Sequence, residues 1–174
     1  MTEQITIETD KIAVLIMDYQ NRQLSNFSEE FQTEILRKAN TVLADARRKG
    51  LPIIHVEVVR GDRTPENAIH SDITPPEGEV LLTKSRTGPF STTNLNDLLR
   101  KEEIETLVLM GISTSGCVVT TVRWAADIDY KLIVLSDCCA DRDDEVHRVL
   151  MEKLFPRQAT VMTSDKFLQL LGDA

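Results

Sequence analysis

A chain of 174 residues has room for one domain with one substantial core, which argues against a fibre, a repeat array or a two-domain enzyme. Twenty Lys and Arg against 28 Asp and Glu leave a net charge of −8, which repels phosphate backbones and excludes a general nucleic-acid surface. At 41% apolar residues the chain is too hydrophobic to be disordered; its longest apolar run, Ile12 to Met17, is too short to span a bilayer, and the opening MTEQITIETD lacks the basic and apolar parts of a leader, so a cytoplasmic protein with no membrane partner is expected.

In chain order, Ala13 to Met17 reads as a strand apolar on both faces, with Asp18 directly after it. A helix follows over Ser28 to Lys49, where Phe31, Ile35, Ala39, Val42 and Ala46 form one stripe, acids open the first turn, bases close the last and Gly50 stops it. Ile53 to Val59 is a second strand. Arg60 to Glu79, with Gly61, Pro65, Pro75, Pro76 and Gly78, reads as a long loop and a candidate lid. Strand patterns recur at Val80 to Leu82, Thr106 to Met110, Leu132 to Leu135 and Thr160 to Met162. Helix patterns recur at Leu95 to Lys101, Cys117 to Ile128, Asp143 to Leu154 and Lys166 to Leu171. This alternation predicts a single α/β domain over residues 1–174, a mainly parallel Rossmann-like sheet covered by helices on both faces. Such sheets bind ligands at the carboxyl ends of their strands.

Asp18, Lys84 and Cys117 all stand at strand ends. The small residues of Gly111-Ile-Ser-Thr-Ser-Gly-Cys117 allow a tight loop that puts Cys117 near a helix amino end, where unpaired amides and a neighbouring ammonium favour a thiolate. Asp18 can take the thiol proton and return it to a leaving amine. Taken singly, each residue also has an inert reading: a packed thiol, a strand-end cap, a solvated charge. Cys138 and Cys139 read as packing thiols, because no second cysteine or histidine pair stands at metal-ligand spacing. A cysteine paired with His147 as base is an alternative without local support. Cys117 to Arg123 matches the C-x5-R spacing of cysteine phosphatases, but the five residues between are all β-branched and poorly suited to wrapping a phosphate.

AVLIMDYQN, KSRTGPFSTTNL, GISTSGCV and LSDCCADRDDEVH, in that order over nearly the whole chain, resemble the isochorismatase-like cysteine hydrolases. The resemblance implies a six-stranded parallel sheet in a three-layer α-β-α sandwich, and a triad of Asp18, Lys84 and Cys117. It also implies a cis peptide at Ile112-Ser113 and an oxyanion hole made by the backbone amides of Ser113 and Cys117. Nicotinamidase-type relatives hold a metal through an Asp-x-His motif; residues 55–72 lack it, so no metal or other cofactor is expected. The implied activity is hydrolysis of the C–N bond of a small non-peptide amide or ureido compound through a thioester. Vinyl-ether hydrolysis and a non-catalytic binding role are the alternatives. Gln20, Phe90, Trp124 and Tyr130 are candidate substrate contacts, and a homo-oligomer is expected by analogy.

Overall fold

Every residue of Ile12–Met17 (β1) is buried, as its two-faced apolar pattern requires of a central strand. In the computed structural model, which describes residues 8–172, β1 pairs in parallel with both Ile53–Val58 (β2) and Thr106–Ile112 (β4). Outside them lie Val80–Lys84 (β3), Lys131–Ala140 (β5) and Thr160–Met162 (β6), giving the order β3-β2-β1-β4-β5-β6 with every pairing parallel. Residues 1–7 and 173–174 of the expected domain lie outside the described residues.

Strand alternation divides the core into two layers. Ile12, Val14 and Ile16 face Glu29–Arg48 (α2, following the short Asn21–Leu24, α1) and Ser164–Gly172 (α6). Ala13, Leu15 and Met17 face the opposite way, toward Leu95–Lys101 (α3), Val119–Asp127 (α4) and the buried Met151 and Phe155 that follow Asp144–Val149 (α5). The expected sandwich is therefore present. α2 starts where Ser28 Oγ accepts the Phe31 amide at 3.3 Å, and its terminal charges suit the helix dipole.

Three segments differ from the sequence expectation. β4 and β5 run past Met110 and Leu135, because after an irregularity the pairing resumes as Gly111 with Cys139 and Ile112 with Ala140. Cys138 and Cys139 thus lie in a strand as free, buried thiols. The helix expected to Leu154 ends its regular part at Val149, continues as a wider turn over Leu150–Leu154 and closes in a 3-10 turn at Phe155–Arg157, where Pro156 supplies no amide hydrogen. The loop from Arg60 to Glu79 contains two 3-10 turns, Pro65–Asn67 and Ser71–Ile73. It is stitched to the chain leaving β1: the His70 amide donates to Tyr19 O at 2.9 Å and the Asn21 amide to Ala68 O at 3.0 Å. It runs beside the carboxyl ends of β1 and β2.

Candidate active site

The strand order reverses direction between β1 and β4, so the crevice beyond their carboxyl ends is the natural ligand position. Asp18 stands on one side of it and the turn carrying Cys117 on the other. Asp18 leaves β1 with φ at +58° and its amide bonded to Val56 O at 2.8 Å, which turns the side chain off the strand line. Lys84 ends β3, and its Nζ donates to Asp18 Oδ2 and to Thr87 O, each at 2.7 Å. With Lys84 1% and Asp18 5% exposed, this is a buried ion pair. The other carboxylate oxygen, Asp18 Oδ1, is buried without a hydrogen-bond partner.

Cys117 sits in a distorted turn, Thr114–Val118, between the cis peptide Ile112-Ser113 and the regular start of α4. The amides of Gly116 and Val118 donate to Ser113 O at 3.1 and 3.3 Å, and the Cys117 thiol reaches the same carbonyl at 3.7 Å. The small residues are there for space. A Cβ on Gly111 would lie 3.1 Å from Cys117 Sγ, and one on Gly116 would lie 2.7 Å from Ser113 Oγ.

Burial pushes the Cys117 thiol well above its usual pKa, the Asp18 charge adds to the rise and Lys84 only opposes it. Burial thus works against the thiolate that Lys84 and the helix end favour. Burial likewise raises the Asp18 carboxyl, against the pull of Lys84, the Cys117 thiol and Arg60. The Asp18 carboxyl and the Cys117 thiol are both shifted toward their neutral forms.

Two further side chains brace the Thr114–Val118 turn. Asp141 Oδ2 accepts the Ser115 amide at 2.7 Å, and His147 Nδ1 lies 2.7 Å from Oγ1 of the buried Thr114. His147 therefore partners Thr114 in the turn, and burial lowers its pKa. The motifs of the sequence give Asp141 no role of its own; a carboxylate just after a strand and just before a helix is the signal that points to it. Arg123, of the phosphatase spacing, donates to Gln158 Oε1 at 2.5 Å, because the residues after Val118 run directly into α4.

None of the four suggested substrate contacts lines the cleft beside Cys117, a space of about 730 Å³. Gln20 binds backbone instead: its carboxamide accepts from Val58 N at 2.8 Å and donates to Val58 O at 3.0 Å and to Asn67 O, clamping the loop to β2. Phe90 lies 6.3 Å from both Trp124 and Tyr130, ring centroid to centroid, and Tyr130 Oη donates to Asn96 Oδ1 at 3.0 Å. The correction is positional, since Trp124 is nearly two turns, roughly 10 Å, along the helical segment from Cys117 and Tyr130 precedes β5 at the opposite end of the sheet. The cleft is lined instead by Asp18, Lys84, Ser113 and Cys117 together with Arg22, Arg60, Asn67 and Arg142. Among the described residues, no three His, Cys, Asp or Glu side chains converge as a metal-binding set.

The chain is thus a parallel α/β sheet with a buried carboxylate, ammonium and thiol near its switch point. Residues 12–166 match the Isochorismatase domain, and the chain belongs to the isochorismatase family of hydrolases. It is 28% identical over 177 aligned positions to the uncharacterized isochorismatase family protein YddQ of Bacillus subtilis, covering 90% of this chain and 98% of that one. It is 30% identical to maleamate amidohydrolase of Pseudomonas putida over 66% of this chain and 53% of the relative. The solved N-carbamoylsarcosine amidase of Thermoplasma acidophilum superposes with a TM-score of 0.78 at 27% identity, covering 89% of this chain and 97% of that chain.

Proposed function

We propose that this protein is a cysteine amidohydrolase that cleaves the C–N bond of a small non-peptide amide or ureido compound. The observation that carries the reading is the Asp18 carboxylate, tied through Oδ2 to Lys84 at 2.7 Å while Oδ1 stays buried and unpartnered in the crevice shared with Cys117. Oδ1 takes the thiol proton as sulfur attacks the carbonyl, so the thiolate is formed during attack. The Ser113 and Cys117 amides receive the developing oxyanion, and Asp18 passes the proton to the departing nitrogen. Water then adds to the thioester, releasing the acid and regenerating the thiol. Lys84 keeps Asp18 ionised against burial. The relatives named for amide hydrolysis, maleamate amidohydrolase and N-carbamoylsarcosine amidase, support this chemistry.

In this reading the reaction needs no metal, and exhaustive chelation should leave turnover unchanged. The test is a panel of small amides and ureido acids scored for released ammonia. Turnover by the wild type and none by Cys117→Ala is expected. Hydrolysis persisting in the folded Cys117→Ala protein would refute the nucleophile, and cleavage of vinyl ethers with no amide turned over would favour the other reaction.

A further inference from the structure

Gln23 lies on α1, shortly after Asp18, and lines the same cleft as Cys117. Its backbone is held: the Gln23 amide donates to Gln20 O at 3.0 Å, and the Gln23 carbonyl accepts from Asn26 Nδ2 at 3.0 Å. Leu24 beside it is fully buried and anchors the turn. The side chain, by contrast, is not held. The half-buried Gln23 carboxamide makes no hydrogen bond among the described residues, and its Oε1 is shut off from solvent as well. A carbonyl oxygen that is neither solvated nor bonded is costly to a fold and calls for a reason.

The other carboxamides lining the cleft are spent on neighbouring backbone. Asn26 Nδ2 also donates to Arg22 O at 3.1 Å, while Asn67 donates to Asp62 O at 2.8 Å and accepts the Thr64 amide through Oδ1 at 3.0 Å. Among the described residues, Gln23 is the carboxamide of the cleft left open. The amide being cleaved is not what fills it. In the reaction proposed above, the Ser113 and Cys117 amides receive the carbonyl oxygen of that amide and Asp18 serves its nitrogen, so both of its ends are already met. A carboxylate is no complement either, because it only accepts and would leave Gln23 Oε1 facing a negative charge. The complement of a carboxamide is a group that donates and accepts side by side, as another amide or a ureido function does. A half-turn about the last side-chain bond exchanges the oxygen and nitrogen of Gln23, so the two groups can pair in either sense.

From this placement we infer that Gln23 is a specificity-determining residue, whose carboxamide pairs with a neutral amide or ureido group of the substrate other than the one cleaved. The inference deepens the amidohydrolase reading and rests on it for the reaction, though not for the contact. An analogue that keeps the shape of that group but lacks its donor leaves the Gln23 oxygen unpaired, which is how a buried polar group discriminates between otherwise similar molecules.

Two measurements separate the contact from the reaction. The first follows ammonia from succinamide and from levulinamide, in which a methyl group replaces the amino group of one amide at nearly the same shape. Per amide group, kcat/KM should favour succinamide by roughly 10-fold or more, the effect of about one hydrogen bond whose loss leaves a buried group unpaired. Gln23→Met, similar in length and unable to form the pair, should bring the ratio to about one, with circular dichroism confirming the fold. A wild-type ratio near unity, or a preference that survives in folded Gln23→Met, overturns the inference. The second uses the native glutamine: in Cys117→Ala, the Gln23 side-chain amide signals, assigned from the Gln23 backbone by heteronuclear NMR, are followed as succinamide is added. They should shift saturably, and less with levulinamide; signals that stay in place, or that move equally with both, overturn the inference. If neither amide is hydrolysed by the wild type while these signals respond as expected, the amidohydrolase reading fails and the Gln23 contact stands.

Discussion

Lys84 is an ammonium placed where water cannot solvate it, and Asp18 is the charge that makes this tolerable. Breaking a buried pair from one side leaves the other charge uncompensated, typically at about 3–5 kcal/mol. Lys84→Met should therefore destabilise the fold by about that amount at neutral pH, and the size of the loss should depend on pH. Burial already raises the Asp18 carboxyl above its usual value, so the folded state holds this proton more tightly than the unfolded chain does. The stability from Asp18 is fullest below its unfolded pKa of roughly 3.9 and is lost as pH rises through the folded value. Removing Lys84 takes away the main opposing charge and raises that value further. The gap in Tm between wild type and Lys84→Met should thus shrink on going from about pH 8 to about pH 5; a gap independent of pH would mean that Asp18 is not the group left stranded. For catalysis, Asp18→Asn keeps the shape of the carboxylate and removes the proton acceptor. Ammonia release should fall by roughly three orders of magnitude, within the usual range for a general acid-base group, with circular dichroism confirming a folded protein. Near wild-type turnover would rule out the proposed role.

The turn from Ser113 to Val118 closes on its own Ser113 carbonyl and is also held by side chains from a neighbouring segment. Asp141 holds the Ser115 amide and His147 holds Thr114, so the start of α5 positions the turn that presents Cys117. Both act through the backbone and a hydroxyl. They are positioning residues. Asp141→Ala should lower kcat about tenfold or more, in keeping with the loss of one hydrogen bond to an ionised group, with a smaller change in KM. Asp141→Asn, which keeps an acceptor for the amide, should recover much of the rate. Equal losses in the two variants would point to the charge of Asp141 and not to its grip on Ser115. The loop from Arg60 to Glu79 illustrates the same principle at larger scale: Gln20, read from the chain as a substrate contact, holds that loop through Val58 and Asn67 and so sets the wall from which Arg60 and Asn67 face the cleft.

Over the whole molecule, the exposed large apolar side chains include Trp124 on α4, 45% exposed beside buried Phe90. A homo-oligomer would cover it, and light scattering should give a mass above the 19.6 kDa of one chain. A mass of one chain would refute the assembly.

The alternation of strands and helices was legible in the sequence because it rests on periodicity, which is local: β1, α2, β2 and α6 all fall close to their expected spans. The placement of Asp18, Lys84 and Cys117 was legible for a related reason, since parallel strands end on the same edge of a sheet and residues at or soon after those ends arrive there. Their protonation was not legible. Helix position and a nearby cation can be read along the chain, but desolvation depends on everything packed around the group, and here it dominates. The lining of the cleft was equally out of reach. Gln20 and Trp124 have the chemistry of ligand contacts, yet one is bound to backbone and the other lies far along α4. Arg22, Arg60 and Arg142 look like ordinary surface charges until the strand order 3-2-1-4-5-6 brings the segments after β1, β2 and β5 around one thiol. Which residues follow strands is a property of the sequence; which strands are neighbours, and so which charges meet, was decided only by the tertiary packing.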